Sequence, residues 1–262
     1  MKMQMKVAGE GKPLVLVPGG LTGWLSWEPY VDQLSRTRKV IRVQLLNVQY
    51  GFENRPLPPD YSVKAESQAL AAALSEAQLN AAVDIVGWSY GGLISLDYAL
   101  DNPDCVHSLV LIEPPAFWVL HSVGEVDAGV QQNEAMLRTI QGDITEEKLE
   151  QFLCAVGLCP PGQSPRQFPQ WPLWVQYRQA LRNNKAVLEH EDDSRRLNAF
   201  HRPVLLVKGT GSASFHHRIV DLLAKELPRA EVIEMPGGHA PHIVSRERFL
   251  DQMNRFQAKI GD

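Results

Sequence analysis

Short apolar runs and longer amphipathic stretches alternate along most of the chain. The runs Leu14–Val17, Val40–Leu46, Val83–Gly87, Ser108–Glu113, Val204–Lys208 and Glu231–Met235 are mostly rich in Val, Ile and Leu. Runs with so few polar interruptions suit strands covered on both faces by helices, as in a parallel sheet. Between them, Ser62–Ala77, Gly91–Leu100, Phe215–Leu227 and Ile243–Lys259 carry helical patterning. This alternation predicts an α/β, doubly wound, mostly parallel sheet, whose ligands bind beyond the carboxyl ends of the strands. The first residues, Met1 to Lys6, alternate apolar and polar, which is strand patterning. No long apolar segment follows them, so no signal peptide is expected.

The alternation breaks between Pro114 and Arg202. Helical patterns near Val126–Ile140, Thr145–Val156 and Leu173–Asn183 flank a proline-rich segment from Cys159 to Pro172, and no strand-like run appears. The expected organisation is one core domain, residues 1–114 and 202–262. A helical lid, residues 115–201, is inserted between two of its strands.

Composition narrows the function classes. The 262 residues carry 26 basic and 30 acidic side chains, a net charge of −4. A nucleic-acid partner is not expected, because such proteins usually advertise a basic excess. The longest apolar runs are too short to span a bilayer. Three cysteines, an odd and sparse count, suit a reducing compartment and argue against a disulfide framework. Cys154 and Cys159 are expected as buried or partly buried thiols. A cytoplasmic monomer or homodimer acting on a small molecule, without metal or organic cofactor, is the expectation.

The chemistry begins at Gly87-Trp88-Ser89-Tyr90-Gly91, which matches G-x-S-x-G between an apolar strand and a helix. A serine at such a junction sits on a sharp turn, with its hydroxyl lifted out of the sheet at the start of the next helix. Free backbone N–H groups and the helix dipole favour an anion there, so the N–H of Tyr90 is a candidate oxyanion donor.

With this motif in place, nearly the whole chain resembles the α/β-hydrolase superfamily. Gly9 to Gly20 looks like the strand and oxyanion loop of that family, with Pro18 where the family usually has His. The resemblance implies a second oxyanion donor at the N–H of Gly20, with Leu21 next in line. Trp24 and Trp27 follow as candidate pocket residues beside Trp88. In the insertion, Phe117, Trp118, Trp171 and Trp174 suggest an apolar acyl or aromatic pocket.

Pro236-Gly237-Gly238-His239-Ala240-Pro241-His242 follows the last apolar run and resembles the family's histidine loop. An imidazole with an ordinary pKa near 6.5 can take the serine proton and return it to a leaving group, which makes His239 the expected general base. His242 reads as a helix cap or surface group. His216 and His217 lie near a helix start, and His190 lies in the solvated charged run Glu189–Asp193.

The third member of the triad departs from the family's usual pattern. The loop after Val204–Lys208, where the family carries its acid, holds no carboxylate, and the usual Asp falls near Ser212. One strand earlier, Ser108–Glu113 ends in a carboxylate. Glu113 is therefore the expected acid, as in family members such as haloalkane dehalogenases that carry it after this earlier strand. The following proline predicts extended backbone at Glu113. The resemblance implies a serine esterase cleaving a small carboxylic ester, lactone or thioester. The alternatives are C–C bond hydrolysis of a diketone-like compound, cofactor-free haloperoxidase chemistry, acyl transfer, and a non-catalytic receptor using the same pocket.

Overall fold

The computed structural model describes residues 2–79, 81–160, 162–183 and 185–261. Met1 of the terminal strand pattern and Pro161 of the proline-rich run lie outside the described residues. Seven strands form one sheet: β1 (Gln4–Ala8), β2 (Lys12–Val17), β3 (Arg38–Gln44), β4 (Val83–Trp88), β5 (Val106–Ile112), β6 (Val204–Gly209) and β7 (Ala230–Met235). Their order is β1-β3-β2-β4-β5-β6-β7. Only β1 runs antiparallel, pairing Gln4 with Gln44 and Ala8 with Val40; every other pairing is parallel. The central strands β4 and β6 are buried at every residue, as continuous apolar runs require when both faces are covered.

Two apolar layers follow from that burial. One holds Val15, Val17, Ile85, Leu109, Leu111 and Leu206 with the helices Val63–Glu76 and Tyr90–Asp101. The other holds Leu14, Leu16, Val86, Val110, Leu205 and Val207 with the C-terminal helix Arg246–Ile260. The fold is the doubly wound, mostly parallel sheet expected from the pattern, and the α/β-hydrolase architecture that the resemblance implies.

Boundaries differ in two places that matter for function. The run Val40–Leu46 reads as one strand, but β3 stops at Gln44 and a helix, Leu46–Phe52, begins. Leu45 and Leu46 are fully buried either way, so apolarity alone cannot separate the two forms. The run Ile243–Lys259 is divided by Ser245 into a short turn of helix, Pro241–Val244, and the helix Arg246–Ile260.

Among the described residues, the stretch between β5 and β6 contains helices, 3₁₀ turns and one isolated bridge, Gln141 to Asn183, and no strand. Its first helix, Phe117–Ser122, is buried through Leu120 in the main apolar layer. A third apolar cluster, with Ile140, Ile144, Leu149, Leu153 and Leu181, holds the rest together and includes Leu21 from the core. Cys159 is buried as expected, whereas Cys105 and Cys154 are exposed. Cys154 lies in the last turn of the helix Glu146–Ala155, whose inward positions are taken by Leu149 and Leu153. No helix among the described residues is long and apolar enough to cross a membrane.

Candidate active site

Ser89 follows β4 and caps the helix Tyr90–Asp101 with φ 53° and ψ −124°. A non-glycine residue in this region carries strain of roughly 1–3 kcal/mol, held in place by its surroundings. Here the surroundings are a hydrogen bond from Ser89 N–H to the Ile112 carbonyl at 2.8 Å and close packing beneath the turn. A Cβ at Gly91 would stand 2.2 Å from the Pro18 carbonyl, so only glycine lets the helix approach β2 this closely.

The loop after β7 carries His239 across the sheet edge to this serine. His239 Nε2 lies 2.7 Å from Ser89 Oγ, and His239 Nδ1 lies 2.8 Å from Glu113 Oε2. Glu113 is fully buried and His239 almost so. The carboxylate is fixed from its far side. Gly209 N–H donates to Oε1 at 2.7 Å, and the Ser212 hydroxyl donates to Oε2 at 2.5 Å. Ser212, standing where the resemblance puts the usual acid, thus donates to the carboxylate of Glu113, the residue after β5.

The backbone at Glu113 is not extended. Its φ is 44°, in the left-handed region, despite the proline that follows. Its N–H still bonds to the Val207 carbonyl at 3.2 Å, which continues the strand pairing by one residue. The bend comes immediately after that bond, where three partners hold the carboxylate: Gly209, Ser212 and His239.

Gly20 and Tyr90 line the cavity above Ser89, as does Phe117. The N–H of Tyr90 belongs to the first helical turn, where no intrahelical acceptor exists. Leu21 is buried in the third apolar cluster, away from the cavity lining. The tryptophans expected in the pocket are elsewhere, and each has a physical reason. Trp24 is half-buried beneath the Lys6 ammonium, 4.5 Å from its ring centroid. Trp27 is a fully buried core residue stacked edge-on against Tyr30. Trp88 alternates to the opposite face of the sheet, where its indole N–H donates to the His239 carbonyl at 2.8 Å. Trp118 is buried in the main layer, while Trp171 and Trp174 pack into the insertion's own cluster.

The cavity is partly enclosed, with room for about 50 Å³ of solvent. Core and insertion share its wall, with Tyr61, Phe215 and His216 from the one and Leu137, Phe152, Val156, Leu181 and Val187 from the other. The insertion also holds the histidine loop, since His239 N–H donates to the Gly157 carbonyl at 2.9 Å.

Several polar residues in or behind this wall lie outside the motifs. Asn47, just past the end of β3, donates from Nδ2 to the carbonyls of Gly20 at 2.7 Å and Ala180 at 3.0 Å. Glu66 is fully buried and accepts from the N–H groups of Leu46 and Asn47 and from the Tyr61 hydroxyl. Burial nevertheless pushes its carboxyl up to about 7. His216 stacks on His239, with ring centroids 4.2 Å apart and planes at 17°. Burial, reinforced by the neighbouring His239, drives its pKa well below the ordinary value, so it is neutral. Glu113, His216 and His239 are close enough to be considered as metal ligands. Nearly parallel stacked rings aim their lone pairs side by side rather than at one point, so the set does not fit tetrahedral coordination.

His242 and His190 correct their surface readings. His242 is fully buried among Trp27, Tyr30, Trp88 and Phe249, and burial drives its pKa far down. The side chain of His190 is only 8% exposed and lies 3.7 Å from the buried Asp97. Neither could be read from sequence, because polar residues adjoining loops carry no burial signal of their own.

A serine, an imidazole and a carboxylate thus stand in a line at the carboxyl edge of a doubly wound sheet. The chain belongs to the alpha/beta hydrolase family, whose model matches residues 14–252. It is 28% identical over 270 residues to the pimeloyl-[acyl-carrier protein] methyl ester esterase of Aeromonas hydrophila, covering 98% of this chain and 99% of that protein. It is 40% identical to the 2-hydroxy-6-oxo-2,4-heptadienoate hydrolase of Pseudomonas putida, but over 107 residues only, 40% of this chain and 38% of that protein. Among solved structures, a thermophilic esterase from Thermogutta terrifontis superposes with a TM-score of 0.76, covering 99% of this chain and 94% of that one. At 19% identity that likeness concerns the fold alone.

Proposed function

We propose that this chain is a serine hydrolase that cleaves a small, uncharged carboxylic ester, lactone or thioester through an acyl-serine intermediate. The continuous line from Ser89 Oγ through His239 to the Glu113 carboxylate carries the reading. Ser89 attacks the carbonyl carbon while His239 takes its proton at Nε2. Glu113 holds the imidazole by Nδ1 and stabilises its charged form. The N–H groups of Tyr90 and Gly20 receive the developing oxyanion. His239 then protonates the leaving alcohol or thiol and later activates the water that releases the acid. Residues 115–201 serve as the lid over a core of residues 1–114 and 202–262. The side chains that they add to the cavity wall support that role.

C–C bond hydrolysis is the second reading, favoured by the similarity to the heptadienoate hydrolase. The lining argues for the ester. Among the described residues of the cavity wall, none is Lys or Arg, so a substrate carboxylate would be buried without a cation.

The test is hydrolysis of a panel of nitrophenyl esters graded by acyl length. Ser89→Ala is expected to lower kcat by about a thousandfold or more with the fold intact. Wild-type rates in that variant would refute the mechanism.

A further inference from the structure

The cavity wall beside Ser89 contains a second polar group of side chains that acyl transfer does not use. Asn47 Oδ1 is buried and has no hydrogen-bond partner. The orientation of its amide is not ambiguous. Nδ2 faces two carbonyls, which accept only, so the oxygen must be the atom left over.

Tyr90 supplies a second acceptor by a chain of proton placement. Three donors converge on the Glu66 carboxylate: the N–H groups of Leu46 and Asn47, at 2.9 and 2.8 Å, and the Tyr61 hydroxyl at 2.8 Å. While Glu66 is ionised, Tyr61 therefore spends its only proton on it. The 2.9 Å contact between the Tyr61 and Tyr90 hydroxyls is then bridged by the proton of Tyr90. What the Tyr90 oxygen then retains is a lone pair. Asn47, Tyr61 and Tyr90 all line the same cavity as Ser89.

We infer that Asn47 Oδ1 and the Tyr90 hydroxyl oxygen form a substrate subsite for an uncharged hydrogen-bond donor, a hydroxyl or an amide N–H. This inference rests on the Ser89 reading, because it makes the preferred substrate an ester bearing such a group. The neighbouring wall, with Phe117, Leu137, Phe152 and Val187, is apolar and disfavours an ammonium, whose desolvation would be costly. Discrimination against an analogue lacking the donor follows from the buried acceptors that it would leave unpaired.

The experiment measures binding to Ser89→Ala protein by calorimetry, so that its result does not depend on turnover. The probes are methyl esters of straight-chain acids, each compared with analogues carrying a hydroxyl, an acetamido or an amino group at successive carbons. At least one hydroxyl or acetamido analogue is expected to bind about tenfold or more tightly than its parent. Adding Tyr61→Phe, which frees the Tyr90 proton, is expected to lower that ratio, because only Asn47 Oδ1 then remains as an acceptor. Tyr90→Phe, which removes the acceptor, should do the same. Equal binding of all analogues, no binding of any, tightest binding of an amino analogue, or a ratio that survives both tyrosine variants would overturn the subsite. The hydrolase reading stands or falls separately, on turnover by the wild-type protein.

Discussion

Glu113 stands at the end of a different strand from the one where the family usually carries its acid, and the proposed mechanism assigns it that role. Its carboxylate receives Gly209 N–H, the Ser212 hydroxyl and His239 at once, and its backbone bends into the left-handed region to do so. Glu113→Gln replaces one acceptor oxygen by a donor. The amide then either opposes Gly209 N–H or forces the wrong imidazole tautomer. A loss of about a thousandfold to ten-thousandfold in kcat is expected, by analogy with amide replacement of other triad acids. Ser212→Ala removes one donor and leaves the carboxylate in place, so a smaller loss, on the order of tenfold, is expected. Steady-state ester hydrolysis compares the two variants, and equal losses would contradict this division of roles. That Ser89, His239 and Glu113 meet was legible in the sequence, because each closes an apolar run or lies in the turn or loop just after one. The pocket tryptophans were not, because an aromatic residue near a loop looks the same in sequence whether it faces a cavity or the core.

At the scale of elements, the loop after β7 is seated on a buried imidazole. His242 stands between Trp27, Tyr30, Trp88 and Phe249 with neither ring nitrogen bonded. Its folded pKa lies well below the unfolded value of 6.5, and burial is the main cause. Between those two values the unfolded chain holds more protons, so stability rises with pH up to about 6.5 and is lost as pH falls. His216 adds the same sign. Thermal unfolding followed between about pH 5 and 7 should show this rise, and His242→Phe should flatten it in part. An unchanged slope would mean that His242 is not buried as a neutral group. The end of β3 teaches the complementary lesson. The apolar pair Leu45-Leu46 concealed the change from strand to helix, and with it the placement of Asn47 beside the oxyanion loop.

For the molecule as a whole, the insertion and the sheet are joined at the site itself. The Gly157 carbonyl, at the end of the helix Glu146–Ala155, accepts the N–H of His239. Gly157 has φ 76°, and a Cβ there would lie 2.9 Å from the Ala213 backbone nitrogen. Gly157→Ala is expected to cost about 1–2 kcal/mol of stability and to lower kcat by displacing the histidine loop. Denaturant unfolding and ester kinetics check this, and an unaltered kcat in a destabilised protein would uncouple the insertion from the histidine. The parallel sheet was legible from six apolar runs, whereas the cavity was not. Its wall joins residues from Gly20 to His239, and no local pattern records such a meeting. The most direct measurement is reaction with a fluorophosphonate, followed by mass spectrometry of the digested protein. The expected result is one phosphonylated peptide, modified at Ser89, with labelling abolished or slowed by orders of magnitude in His239→Ala. An unreactive wild-type protein, or an adduct on another residue, would contradict the assignment of Ser89 as nucleophile.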